Sequence, residues 1–414
     1  MSRTMKGGLG CMVVLAVGLL FFAGPAFSAG KDDPIKIGYL STSSGTFAAD
    51  GEFIRQGFEL YLEQVGYKAG GRKIEVLHED DKMDPRTGLV KAKRLVEENK
   101  VDMVSGVIPS SIAYAVKDYL VGNKTPFIIC NAGADDLTQR DFSPYVFRAS
   151  FSNSQHSHVL GDWLYKKGHR RLIVLTSDYS AGYEHIGGVC RTFTNAGGEI
   201  IEEIYTPLGT MDFAPYLSRI SPDRADAVVC FLGGVDSVNI VKQYAQYGLK
   251  GKIPLYSLHM IMEHLQEPMG DAAIGMVDCS GYMPSLNLKN KEHLDFLKAY
   301  RDKHRKWPNF VCEGAYVAAQ MIVKGLDAIG GRIEDKDAFI KAMEKVEIAA
   351  PRGPIKLDRF HNPIENFYIS VLKKVYNLEV IETYPSVSQF WKWTPEEYMK
   401  MPSYKDMKGK WAKK

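Results

Sequence analysis

The sequence contains little cysteine, and its cysteines follow no pattern. There are six in 414 residues, and one of them, Cys11, lies in the apolar N-terminal segment. The other five are widely scattered: Cys130, Cys190, Cys230, Cys279 and Cys312. An odd, scattered set does not make a disulfide framework, and no CxxC pair occurs. We therefore expect buried free thiols and no metal site.

Signatures of nucleotide and nucleic-acid binding are also missing. Beyond the N-terminal segment there is neither a GxxxxGK[ST] nor a GxGxxG motif. The net charge is only +3, and basic residues alternate with acidic ones, so no electrostatic footprint for nucleic acid stands out. With 45% hydrophobic and 24% charged residues, the chain is typical of a globular protein with two domains. We expect no cofactor and no nucleic-acid partner.

The longest apolar run lies at the N-terminus. Leu9 to Ala23 follows the basic segment MSRTMK, and Ala26-Phe27-Ser28 places small residues at the positions that signal peptidase requires. We predict that residues 1–28 are a cleavable signal peptide and that the mature chain is periplasmic or otherwise extracytoplasmic. An uncleaved membrane anchor is the alternative, although the run is shorter than the roughly 20 residues that span a bilayer.

The remaining sequence alternates short apolar strands with amphipathic helices. Strands such as Ile35 to Leu40 and Met103 to Val107 are separated by helices such as Glu52 to Val65, and the pattern repeats after Leu172. This alternation predicts an α/β fold with two doubly wound parallel-sheet lobes. We assign 29–148 plus 278–354 to an N-terminal lobe, 149–277 plus 355–384 to a C-terminal lobe, and 385–414 to a tail. Three crossings between the lobes would form a hinge.

Ligands of open parallel sheets bind beyond the carboxyl ends of the strands, where loops lead into helix N-termini. Several predicted strand ends carry polar, small or aromatic residues. Serine hydroxyls and free backbone amides at a helix start suit a carboxylate, small residues let backbone approach a ligand, and an aromatic ring can cover one. The candidate ligand-binding residues are Phe47, Ser110, Ser111, Asn131, Ala132, Gly133, Ala134, Tyr179, Gly234 and His259.

Each of these candidates has a structural alternative. Ser110 and Ser111 could simply cap a helix, Tyr179 could mark a helix start, and a lone histidine such as His259 is often a satisfied structural residue. The stretch with some likeness to a catalytic motif is DYSAG, residues 178–182. This stretch is one glycine short of the GxSxG elbow, and Ser180 has no ordered histidine and acid partners in the sequence. We expect no enzymatic activity.

Collinear motifs resemble those of the extracytoplasmic solute-binding proteins of branched-chain amino acid type ABC importers. They are IKIGYLSTSSGTFAADGEFIRQGFELYLEQV, EDDKMDPRTG, SGVIPSSIAYAV, ADDLTQRDFSPYVFR and LGTMDFAPYLSRI. The resemblance implies the type I periplasmic binding protein fold, a leucine-binding-like site between the lobes, and delivery of a small solute to membrane permease subunits by a monomer. It also implies that the ligand carboxylate meets Ser110 or Ser111 and the loop from Ala132 to Ala134.

The sequence departs from leucine-type members where these hold the α-ammonium group. Ala134 stands at their loop threonine, and His259 stands at their second-lobe glutamate, with no acidic residue nearby before Glu263. Ala181 occupies the usual tyrosine position, with Tyr179 before it. Burying an unpaired cation costs several kcal/mol, so an α-amino acid is disfavoured. We expect a carboxylate without an α-ammonium, such as an aromatic carboxylate, and keep a ligand-sensing receptor module and a branched-chain amino acid binder as alternatives.

Overall fold

The computed structural model describes residues 33–412, which form two α/β lobes, each built on its own sheet. The predicted signal peptide lies outside the described residues. The strands are β1 (Ile35–Ser41), β2 (Lys68–Ala69), β3 (Arg72–Asp80), β4 (Met103–Gly106), β5 (Phe127–Ile129), β6 (Val146–Arg148), β7 (Arg171–Ser177), β8 (Glu199–Thr206), β9 (Ala227–Phe231), β10 (Leu255–Leu258), β11 (Val277–Ser280), β12 (Glu347–Ala350), β13 (Gly353–Leu357), β14 (Pro363–Lys374) and β15 (Asn377–Val387).

The helices alternate with these strands. They are α1 (Ala48–Gln64), α2 (Pro85–Glu97), α3 (Ser110–Gly122), α4 (Asn153–Lys166), α5 (Ser180–Asn195), α6 (Ala214–Leu217), α7 (Val235–Gln246), α8 (Glu263–Met269), α9 (Lys291–His304), α10 (Phe310–Ala328), α11 (Lys336–Met343) and α12 (Pro395–Lys400). None of the helices in residues 33–412 has the length and apolarity to cross a membrane.

The first sheet has six strands in the order β2-β3-β1-β4-β5-β6. All pairings are parallel except the short hairpin of β2 with β3. Tyr39 of β1 packs in the core with Ile54 of α1, while Leu40 packs on the opposite face with Leu95 of α2. Because helices cover both faces, neighbouring strand residues are both buried and the strands are continuously apolar.

The second sheet has nine strands, with β12-β13-β14-β11-β10-β9-β7-β8 in order and β15 paired to β14. Strands β8, β7, β9, β10 and β11 are mutually parallel, and β14 runs antiparallel to β11. The predicted α/β fold class is confirmed. The second sheet is mixed because its last strands return through hairpins, which suffice for antiparallel pairing, and not through crossover helices.

The chain passes between the lobes three times, as predicted. It leaves the first sheet after β6 for α4, which packs on α5, and it returns after β11 to α9 and α10, which pack on α1. It leaves again after α11 for β12. The residue-level lobe boundaries stay a prediction, and they differ from the sheets at β12, which falls within 278–354 but pairs with β13 in the second sheet. β12 lies in the second sheet because it pairs with β13, and this pairing is a tertiary contact.

A buried ion cluster lies where the crossings meet. Arg352, between β12 and β13, forms ion pairs with Glu313 of α10 and Glu365 of β14, and it donates a hydrogen bond to the carbonyl of Ala149. All three ionic side chains are at most 5% exposed. Since Glu313 belongs to the first lobe and Glu365 to the second, the cluster joins the lobes at the hinge.

The C-terminal tail packs on the second lobe and also contacts the first. Tyr398 and Tyr404 are buried in an aromatic cluster with Phe390, and the Tyr404 hydroxyl is 2.5 Å from His158 of α4. Arg140, in the loop before β6, donates hydrogen bonds to two tail carbonyls. The tail therefore lies across α4 and α5 and reaches the hinge side of the first lobe.

Candidate ligand-binding cleft

A cavity of about 50 Å³ lies between the lobes at the carboxyl ends of their parallel strands. Six residues predicted from the sequence line it: Phe47, Ser110, Asn131, Gly133, Tyr179 and His259. Sequence reasoning missed eleven more: Asp50, Ile108, Pro109, Phe151, Asn153, Ala181, His185, Phe231, Met262, Phe310 and Val311. The strand-end rule could have found Phe231, which ends β9, whereas Phe151 and Asn153 follow the first crossing between the lobes and Phe310 begins α10.

The N-terminus of α3 supplies hydrogen-bond donors to this cavity. Among the described residues, no group accepts the backbone N–H of Ser110 or Ser111, and the preceding Pro109 offers no side-chain cap. Val107 adopts φ +66°, a strained conformation for a β-branched residue, and the turn that it forms leads into α3. Free amides and the positive end of a helix dipole favour an anion at this point.

The Ser110 hydroxyl is oriented by its neighbours. Its Oγ accepts a hydrogen bond of 3.0 Å from Asn153 Nδ2, which also donates to Glu184 Oε2 at 2.5 Å. Tyr114 donates to the other oxygen of Glu184 at 2.6 Å. Because Oγ is already accepting, the Ser110 O–H remains available as a donor toward a ligand.

Seven of the sixteen other lining residues carry aromatic rings, with the imidazoles of His185 and His259 included. Tyr179 stacks on Phe231 with ring centroids 6.4 Å apart, and His259 lies between Phe151 at 4.5 Å and Phe310 at 4.6 Å. No lysine or arginine lines the cavity in the part of the chain that the structure describes. A flat apolar solute would therefore meet ring faces on both lobes.

The histidines of this wall are neutral. Burial lowers the pKa of His259 to about 3 and holds the pKa of His185 well below its usual value. His259 Nε2 accepts the backbone N–H of Gly281 at 3.2 Å, so its proton sits on Nδ1, which has no partner in residues 33–412. Within those residues no three His, Cys, Asp or Glu side chains converge to hold a metal ion.

One carboxyl group lines the cavity, that of Asp50 in the first turn of α1. Its Oδ1 accepts from Asn309 Nδ2 at 3.2 Å and lies 3.5 Å from His264 Nε2. Burial raises the pKa of Asp50 to about 7. Glu263, the nearest acid to His259 in sequence, is instead held by the backbone and hydroxyl of Ser285 and does not line the cavity.

The other four predicted residues lie around the cavity and not on its wall. Ser111 faces a neighbouring cavity of about 580 Å³ at the rim, beside Tyr114 and Glu184. Ala132 donates its N–H to Val107, and the Ala134 carbonyl accepts from Arg148. Gly234, with φ +54°, packs against the Thr46 carbonyl of the other lobe.

Ser180 is the serine of the DYSAG stretch. Its Oγ has no hydrogen-bond partner among the described residues, so no histidine activates it as a base would. It begins α5 at the rim of the cleft, in the same cavity as Ser111. The five cysteines of the described chain are free and buried, as expected.

The sequence model for the periplasmic binding protein family matches residues 34–375. The chain belongs to that family. This membership accounts for the two hinged lobes with a cleft between them, and the family works outside the cytoplasm. The chain is thus an extracytoplasmic solute-binding protein of the kind that serves ABC importers.

Curated and solved relatives agree with this family assignment. The Leu/Ile/Val-binding protein homolog 6 of Brucella melitensis is 30% identical over 367 residues, which cover 86% of this chain and 93% of the relative. An ABC transporter substrate-binding protein from Sphaerobacter thermophilus is 33% identical, with a TM-score of 0.81 over 86% of this chain and 99% of the other. A solute-binding protein from R. palustris, solved in complex with benzoate, is 30% identical, with a TM-score of 0.82 over 86% and 98%.

Proposed function

We propose that this protein captures a small aromatic carboxylate outside the cytoplasm and delivers it to the permease subunits of an ABC importer. The observation that carries the proposal is the cleft itself, in which free amide and hydroxyl donors at Ser110 stand among aromatic rings. The donors suit a carboxylate and the rings suit a flat apolar body. The chain acts as a monomeric binding protein and not as an enzyme, and residues 1–28 direct its export.

The size of the cavity favours a small solute. A dry apolar cavity of about 150 Å³ accommodates benzene, so a cleft of about 50 Å³ must open to admit even a single ring. The solved relatives include one bound to benzoate, one bound to 3,4-dihydroxybenzoic acid and one bound to 4-hydroxybenzoate.

A branched-chain amino acid is the second candidate. Asp50 favours it, because an ionised carboxylate in the cavity could pair with an ammonium group, and several curated relatives are named as Leu/Ile/Val-binding proteins. Against it, burial raises the pKa of Asp50 to about 7, so that much of this group is neutral at physiological pH.

Titration calorimetry with benzoate, 4-hydroxybenzoate and leucine distinguishes the two candidates. We expect the aromatic acids to bind and leucine to bind weakly or not at all. Ser110→Ala should weaken aromatic acid binding about 10- to 100-fold, since a hydrogen bond to a charged group contributes about 1.5–3 kcal/mol. Ser111→Ala, whose hydroxyl faces the rim cavity, should change the affinity little. Tight leucine binding without any aromatic acid binding would refute the proposal.

A further inference from the structure

Asp50 presents an unused carboxyl oxygen to the cleft. The side chain is only 2% exposed, yet it lines the cavity. Asn309 and His264 both lie against Oδ1, whereas Oδ2 has no hydrogen-bond partner in residues 33–412. A solute that fills the cavity would shut this oxygen off from solvent, and an unpaired carboxyl oxygen is then costly, so a solute group that hydrogen-bonds Oδ2 would be favoured.

The surroundings of Asp50 do not supply a compensating positive charge. Burial lowers the pKa of His264 to about 4, so this imidazole is neutral. Lys306 is paired with Glu52 at 2.9 Å. With only the Asn309 amide and a neutral imidazole as neighbours, the carboxyl group is present in both its neutral and ionised forms near pH 7.

We infer that Asp50 selects, among single-ring carboxylates, those that carry a hydroxyl group on the ring. This inference rests on the proposed function and names the substrate class of the same site. A hydroxyl both donates and accepts, so it can hydrogen-bond Oδ2 whichever form the carboxyl group takes. An ammonium group can only donate, and it would be paired only with the ionised form.

Other residues of the cavity would bind the carboxylate and the ring of the same solute. Ser110 and the amides of α3 bind the carboxylate, and the rings of Tyr179 and Phe231 cover the flat body. Sites built to hydrogen-bond a substrate hydroxyl can reject the analogue that lacks it by several orders of magnitude, because the polar group is then left unpaired. Benzoate, which has no ring hydroxyl, would leave Oδ2 unpaired.

Calorimetry with benzoate, 3-hydroxybenzoate, 4-hydroxybenzoate and 3,4-dihydroxybenzoate tests the inference. We expect at least one hydroxylated acid to bind about tenfold or more tightly than benzoate. Asp50→Leu should remove this preference, bringing the affinity ratio to about one, because an apolar side chain of similar size cannot hydrogen-bond the hydroxyl. Asp50→Asn keeps a donor and an acceptor at the same place and should retain most of the preference.

Asp81→Asn is the matched control. The Asp81 carboxyl group is also buried in the first lobe, but it accepts hydrogen bonds from Thr42 and Met83 and does not line the cavity. This substitution should leave the affinity ratio of hydroxylated acids to benzoate unchanged. Equal binding of benzoate and all hydroxylated acids, unaltered by Asp50→Leu, would overturn the inference and leave the proposed function standing. Binding of none of these acids would overturn both, and leucine binding that Asp50→Asn abolishes would show that Asp50 pairs with an ammonium group.

Discussion

At the scale of single residues, the histidines beside the cleft act as neutral aromatic rings. His156 of α4 is fully buried, and its ring lies 4.2 Å from that of His259 and 4.7 Å from that of His185. Neither of its nitrogens has a hydrogen-bond partner among the described residues. Burial, with lesser contributions from the neighbouring imidazoles, holds its pKa well below the usual value. The folded state therefore requires this residue to be uncharged.

We predict that His156→Phe makes the protein less sensitive to acid. In the unfolded chain the imidazole binds a proton below about pH 6.5, whereas in the folded state it cannot. Its contribution to stability is therefore complete above that pH and is lost as the pH falls toward the folded-state pKa. The unfolding free energy of the variant relative to the wild type should rise by up to about 1.4 kcal/mol per pH unit below pH 6.5.

Chemical denaturation of both proteins between pH 8 and pH 5 measures this difference. Buried carboxyl groups with raised pKa values, such as Glu365, have the opposite pH dependence, but they are common to both proteins and cancel. Val159→Ala, at a buried apolar site of α4, is the control, because it removes no titratable group and should change the unfolding free energy by an amount that does not depend on pH. A pH-independent difference between His156→Phe and wild type would show that His156 takes up its proton with the same pKa in the folded and unfolded states, which would contradict the prediction.

At the scale of elements, two helices of the second lobe pack unusually closely through glycines. A Cβ on Gly161 of α4 would lie 2.2 Å from Thr192 Oγ1 and 2.4 Å from the Val189 carbonyl, both on α5. A Cβ on Gly188 of α5 would lie 2.7 Å from the Cβ of Ser157 on α4. This contact positions the first turns of both helices, and with them Asn153 and Ala181, at the cleft.

Gly161→Ala is predicted to destabilise the second lobe. The added methyl group would meet backbone that cannot move without separating α4 from α5, and overpacking of this kind costs about 1–3 kcal/mol. Gly122→Ala is the matched control, because Gly122 ends α3 with nothing within 4 Å of a Cβ. It should be neutral or slightly stabilising, since alanine favours helix over glycine. The melting temperatures of the two variants measure this difference. An equal effect of both substitutions would contradict close packing at Gly161.

At the scale of the whole molecule, the lobes are in contact across the cleft. A Cβ on Gly233, which follows β9 of the second lobe, would lie 2.3 Å from the ring of Phe47 of the first lobe. A Cβ on Gly234 would likewise lie 2.2 Å from the carbonyl oxygen of Thr46. Because the cavity is lined by both lobes, a solute that contacts both shifts the population toward the closed arrangement.

We predict that Gly233→Ala hinders closure without unfolding either lobe. The new methyl group would press on Phe47 only when the lobes are together, so the thermal stability of the unliganded protein should change little. Affinity for the aromatic acid should fall about tenfold or more, because part of the binding free energy must then overcome the clash. Small-angle X-ray scattering with saturating ligand should give a larger radius of gyration than for the wild type. A wild-type radius and affinity in the variant would refute this account of closure.

Much of the fold and six of the seventeen residues that line the cavity follow from the sequence by itself. The alternation of apolar strands with amphipathic helices predicts parallel sheets, and the carboxyl ends of parallel strands share one edge. This is why one cavity brings together Phe47, Ser110, Asn131, Gly133, Tyr179 and His259.

Only the tertiary structure decides which of two neighbouring residues faces the cavity and which residues the crossings between the lobes contribute to it. Ser110 lines the cavity and Ser111 does not, because successive helical residues point about 100° apart. Phe151 and Asn153 reach the cleft through the first crossing between the lobes, and Phe310 reaches it from the start of α10. Such contacts join residues far apart in sequence, and no local pattern records them.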